Sequence, residues 1–190
     1  MLEQAQPLLL FFEENHQRTD VLRENDNLRK IATFDEWDSG LSQCTKDYSI
    51  VCENGLEHDN FVANCFITMF SRAGALLSTI KVFSKLSDPD VFSWYGVLNA
   101  FLENGQENNV IKTYYQMYQS CILSDGHVFR VVLKACANAK ALIDGMIIHV
   151  HMVECGIDCN IYAGSALIDM YLKCGNIKEA RAVLSCMSWL

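Results

Sequence analysis

The sequence predicts an all-α chain, an α-solenoid of stacked helix-turn-helix repeats, and three observations predict it. Half of the 190 residues (51%) are apolar and 20% are charged, and only two prolines and ten glycines interrupt the chain. Breakers so sparse favour helices over a turn-rich β fold. A stretch beginning at Asn60 returns 101 residues later: Ile67/Ile168, Met69/Met170, Gly74/Gly175, Val82/Val183, Ser84/Ser185 and Ser87/Ser188 are identical. Between the two copies, apolar residues recur at helical spacing and are interrupted at intervals by glycine.

Taken from the N-terminus, residues 1–40 fit no repeat. Met1 to Gly40 holds nine acids against four bases, and Leu8 to Asn27 reads as a loose amphipathic helix or a tail. The run Pro7-Leu8-Leu9-Leu10-Phe11-Phe12 is the longest apolar one. It falls far short of the roughly 20 residues that span a bilayer, so no membrane role is expected. Glu3 is the only charge before it, unlike the basic start of a secretory signal. Organellar transit peptides are Arg- and Ser-rich and poor in acids, so no transit peptide is visible here.

The net charge of −8 is unevenly placed: residues 1–60 carry 13 acids and 5 bases, and residues 61–190 carry ten of each. The neutral part lacks the dense positive surface from which phosphate binding draws its strength. Nine cysteines are an odd number and include no C-x-x-C pair, so the expectation is reduced, mostly buried thiols packed between helices.

Four units then follow, each reading as two helices. Phe66, Ile67 and Phe70 form a first stripe, Gly74 a stop, and Leu76, Ile80 and Phe83 a second stripe. Trp94, Val97, Leu98 and Phe101 precede Gly105, and Val110, Ile111, Tyr114 and Met117 follow it. Phe129, Val132, Leu133 and Cys136 are followed by Leu142, Met146, Ile147 and Val150. Leu167, Met170 and Tyr171 lead through Gly175 to Ala180, Val183 and Met187. A single hairpin cannot bury such stripes, so the hairpins must stack.

Several phrases carry a resemblance: Ser93-Trp94-Tyr95-Gly96-Val97-Leu98, Val132-Leu133-Lys134-Ala135-Cys136-Ala137, Gly145-Met146-Ile147-Ile148-His149 and Ala166-Leu167-Ile168-Asp169-Met170-Tyr171-Leu172-Lys173-Cys174-Gly175. The chain resembles pentatricopeptide repeat proteins, in particular the plant PLS class with repeats of three alternating lengths. The resemblance implies a right-handed superhelix, with Gly74, Gly105, Ala139 or Lys140, and Gly175 in turns. It divides the chain into a short repeat at 60–90, a standard repeat at 91–125, a long repeat at 126–160 and a short repeat at 161–190, incomplete at its end. Residues 41–59 look like the remnant of an eroded long repeat.

The resemblance also implies single-stranded RNA as the partner, bound weakly and read by two residues per repeat, which address one base together. In the first short repeat these are Asn64 and Asp90, a pair that in the family favours uracil, with Phe61 beside them as a stacking surface. The side chains of Asn64 and Asp90 are expected to be free in one groove. The next repeats offer Tyr95 with Asp125 and Arg130 with Asn160, and the last offers Ser165 alone. Members of the family work in mitochondria or chloroplasts alongside RNA editing and processing proteins.

Chemistry of other kinds is not expected. A cytidine-deaminase-like domain needs His-x-Glu and Cys-x-x-Cys, and neither spacing occurs. His149 and His151 sit two apart and would point about 200° away from each other on a helix, so no metal and no cofactor is expected. A protein-binding scaffold and a truncated, inactive gene product are the alternatives to a non-enzymatic RNA-binding protein.

Overall fold

A computed structural model of the chain describes residues 41–53, 55–157 and 161–187; residues 1–40, Asn160 and Cys159 lie outside the described residues. Nine α-helices and no strand are present among them. They are α1 (Leu41–Glu53), α2 (Asn60–Arg72), α3 (Leu76–Phe83), α4 (Val91–Glu103), α5 (Glu107–Gln119), α6 (Gly126–Ala139), α7 (Leu142–Glu154), α8 (Ile161–Lys173) and α9 (Ile177–Met187). None is long and apolar enough to cross a membrane.

Local chemistry sets where these helices start and stop. Asp59, Asp90 and Asp125 have extended backbones, and their carboxylates accept from the N–H groups of Val62, Ser93 and Val128 at 3.0, 2.9 and 2.9 Å. Each satisfies a donor that the first helical turn leaves without a partner, worth about 1 kcal/mol.

The inner turns share one geometry. Ala75, Gln106, Ala141 and Asn176 donate their N–H back five residues to the carbonyls of Phe70, Phe101, Cys136 and Tyr171, at 2.8–2.9 Å. This closure needs a left-handed residue just before the donor. Gly105 supplies it at φ +64°, whereas Lys140 occupies the equivalent place at φ +53°. A residue with a Cβ costs about 1–2 kcal/mol there.

The helices form two layers. The first helices of the hairpins make a row, α2 against α4, α4 against α6 and α6 against α8. The second helices α3, α5 and α7 each pack on their own first helix and on the next one, and α9 packs on α8. This is an α-solenoid, with α1 set against α2 as a further second helix.

First helices are therefore buried from several sides. In α6, Val128, Phe129, Val131, Val132, Leu133, Ala135, Cys136 and Ala137 are all buried. Fully burying one such large side chain contributes roughly 1.5–3 kcal/mol. One core cluster runs from Trp94 to Val183 and another from Cys44 to Val97, and Phe83 and Phe101 lean on both.

Close approaches between neighbouring helices depend on small residues. A Cβ added at Gly96 in α4 would run into the Ile67 side chain of α2, and one at Gly145 in α7 into Met170 of α8.

Two expectations are corrected. On α7 the core takes Gly145, Ile148 and Met152, while Met146, Ile147 and Val150 of the expected stripe are exposed. The helix is apolar nearly all round, so periodicity could not choose a face; Gly145 chose it by admitting Met170. The thiols are not mostly buried: Cys44, Cys65 and Cys136 are buried, Cys52 and Cys174 half-buried, and Cys121, Cys155 and Cys186 exposed, all eight unpaired by disulfides.

Two stability results are expected. Gly96→Ala should lower stability by about 1–3 kcal/mol in urea unfolding, because Ile67 is fully buried and stiff at χ1. Gly145→Ala meets a flexible methionine and should stay within about 1 kcal/mol of wild type; equal losses at both sites would contradict this packing. At the turns, Lys140→Gly should be neutral or stabilising by up to about 1 kcal/mol, and Gly105→Lys destabilising by about 1–2 kcal/mol. Unchanged midpoints in both would contradict the turn geometry.

Candidate nucleic-acid interface

The first-helix layer leaves one face open. Along each first helix, residues at i, i+3, i+7 and i+11 share that side: Phe61, Asn64, Thr68 and Arg72 on α2 begin the pattern. All of its positions except the buried Asn64 are half-buried or exposed on the four helices. The charged members are Arg72, Arg130, Lys134 and Lys173 against Glu103 and Asp169. The stripe has four bases against two acids, and the flanking caps Asp90 and Asp125 bring the acids of this face to four.

At the junction of α2 and α4 the stripe carries a hydrogen-bonded constellation. Asn64 Nδ2 donates to the Asp90 carboxylate, 3.1 and 3.2 Å from its two oxygens. Ser93 Oγ lies 2.7 Å from Asn64 Oδ1 and 2.9 Å from Asp90 Oδ1, and its single proton serves one acceptor at a time. Asp90 meanwhile caps α4 through the Ser93 N–H.

The structure therefore brings Asn64 and Asp90 together but does not leave them free. Asn64 is only 6% exposed, and its amide is held at both ends. Burial is the reason: an amide between two packed helices needs partners, and Asp90 and Ser93 are the ones within reach. Phe61 is half-buried and packs against the N-terminal core cluster.

The other expected positions differ. Tyr95 is half-buried and sets its ring edge-on to His127, centroids 6.2 Å apart. Asp125 caps α6, but its surroundings offer Tyr95 and Val128 where Asp90 has Asn64 and Ser93, so no equivalent network forms. Arg130 is exposed. Ser165 is exposed, with its hydroxyl donating to the Tyr162 carbonyl at 3.0 Å.

Sequence reasoning missed two features. Ser93 is fully buried and orients both members of the pair; its place three residues after Asp90 was the available signal. Phe92, His127 and Tyr162 occupy the register of Phe61, with Phe92 39% and Tyr162 69% exposed.

The two histidines leave α7 in different directions. His149 Nδ1 is 2.9 Å from Tyr171 Oη on α8, while His151 Nδ1 is 3.0 Å from Tyr114 Oη on α5 and its ring stacks on Tyr118 at 4.1 Å. Among the described residues no three His, Cys, Asp or Glu side chains converge as metal ligands.

No protein-family model matches the chain. Individual relatives do. A mitochondrial pentatricopeptide repeat-containing protein of Arabidopsis thaliana is 34% identical over 145 residues, covering 76% of this chain and 14% of that one. A second Arabidopsis thaliana protein of that description is 32% identical over 136 residues, covering 72% and 23%. A chloroplastic one is 30% identical over 187 residues, covering 98% and 21%. The chain spans less than a quarter of the length of each of these three relatives. Their shared description agrees with a row of helical hairpins closed by one recurring turn, and the chain belongs to the pentatricopeptide repeat family.

Proposed function

We propose that the open face of the first-helix layer binds single-stranded RNA sequence-specifically, without catalysis and without a cofactor. The Asn64–Asp90–Ser93 constellation carries this reading. It fixes an amide and a carboxylate side by side, the groups that address a base edge, on a face whose four bases Arg72, Arg130, Lys134 and Lys173 are matched by Glu103, Asp169, Asp90 and Asp125. Phe61 and, in the same register, Phe92 and Tyr162 offer ring surfaces, each stacked base being worth roughly 1–3 kcal/mol. In this reading the repeats run 60–90, 91–125, 126–160 and 161–190 and belong to the PLS class, with Asp125, Asn160 and Ser165 as further reading positions. Relatives described as mitochondrial and chloroplastic support an organellar location, with RNA editing or processing proteins as companions.

One observation favours a second reading, a protein-binding scaffold. Ile143, Met146, Ile147, Val150 and Val153 form an exposed apolar stripe along α7, on the side opposite the core.

Titration of the 190-residue chain with short single-stranded RNAs should give micromolar or weaker binding that falls steeply with salt. Asn64→Ala should erase a preference for uracil of about tenfold, the weight of one base's hydrogen bonds at roughly 1–3 kcal/mol. Asp90→Ala should do the same, and both variants should lower stability by about 1–3 kcal/mol, since each leaves a buried polar partner unpaired and Asp90→Ala also loses the cap. Binding that ignores both substitutions would shift the assignment to the α7 surface.

A further inference from the structure

The apolar stripe on α7 has charges at its two ends that say what covers it. Ile143, Ile147, Val150 and Glu154 share one side of the helix at i, i+4, i+7 and i+11, with Met146 and Val153 beside them. The five apolar side chains are 40–74% exposed, on the order of 500 Å² in all. Two copies joined along the stripe would bury on the order of 1,000 Å², the least that a specific association needs. Lys140 stands in the turn that leads into α7, and Glu154 is the helix's last residue. Both are exposed, and neither makes an ion pair among the described residues. Other titratable groups of the helix are engaged by its neighbours: Asp144 accepts from Tyr115 Oη, and His149 and His151 meet Tyr171 and Tyr114.

We propose that this stripe is the interface of a homodimer, in which a second copy of the chain lies antiparallel along α7. The charges select that direction. At a rise of about 1.5 Å per residue, Lys140 and Glu154 are about 21 Å apart along the helix, with Ile147 midway. A two-fold axis at Ile147 sets Lys140 beside the partner's Glu154 at both ends, and Ile143 against the partner's Val150 between them. Parallel copies would set lysine on lysine and glutamate on glutamate, which costs affinity. The proposal rests on the scaffold reading of α7 and commits it to one partner. It is independent of RNA binding, because α7 belongs to the second-helix layer and the open face of each first-helix layer stays clear. The pair therefore presents two such faces, one on each copy.

Sedimentation equilibrium of the 190-residue chain should show a reversible monomer–dimer equilibrium with a micromolar Kd, as expected of an interface at the low end of the size range. Val150→Glu, at a position 56% exposed in the single chain, should weaken the dimer by about a hundredfold or more. Lys140→Glu and Glu154→Lys should each weaken it about tenfold, and the two together should restore it to within about threefold. Circular dichroism melts of each variant separate lost association from lost folding. A chain that stays monomeric at several hundred micromolar (roughly a hundredfold above the expected Kd), a dimer indifferent to Val150→Glu, or charge reversals without rescue would overturn the proposal. In a monomeric chain, a paramagnetic cosolute then tells the two readings apart. Broadened Ile143 and Val150 methyl signals would show a bare stripe and keep the scaffold reading without the dimer, whereas protected methyl groups would show the chain's own residues on the stripe and remove both.

Discussion

First helices inside the row are covered on both flanks at once, and the rest of the structure depends on that constraint. α6 shows it most fully, since α4, α5, α7 and α8 all pack on it. No hairpin taken alone could hide Val131, Leu133 and Ala137 together with Phe129 and Cys136. The row exists because each hairpin finishes the burial of its neighbour. The spacing within the row is then set by small residues, Gly96 against Ile67 being the tightest case on α4.

Stacking of this kind places a function on residues that already have structural work. Asp90 ends one hairpin and caps the next helix, so its carboxylate is fixed by backbone geometry before any ligand arrives. Asn64 is then held against it by packing between α2 and α4. The arrangement is preorganised, which lowers the ordering cost of binding a flexible strand. It also makes Asp90 unable to vary without touching helix stability, unlike Arg130, which is exposed and bonded to nothing comparable.

Much of this was legible in the sequence. The stripes of α2, α5 and α6 name residues that are buried, as do Trp94, Val97 and Leu98 on α4, whereas Phe101 is half-buried and further buried residues such as Val131 and Ala135 lie on flanks that only stacking covers; Gly74, Gly105 and Gly175 mark turns that need a left-handed residue. The face of α7 was not legible, because Leu142 to Val153 is apolar on nearly every side and a packed glycine decided the register. The adjacency of Asn64 and Asp90 could be expected, whereas their mutual bonding could not. That depends on burial between helices and on Ser93, both of which are tertiary facts. Cysteine exposure was equally hidden: Cys121 and Cys155 fall at helix ends, where the expected burial between helices does not reach.

The central claim is that a nucleic-acid strand lies along the first-helix layer and meets the Asn64–Asp90 constellation. Resonance mapping of the labelled chain during addition of a uracil-containing oligonucleotide tests it most directly. The account predicts shifts in the Asn64 side-chain amide and in the rings of Phe61 and Phe92, with the methyl groups of Ile143 and Val150 on α7 unmoved. Shifts confined to those α7 methyl groups, or an Asn64 amide that stays in place while the oligonucleotide binds, would contradict it.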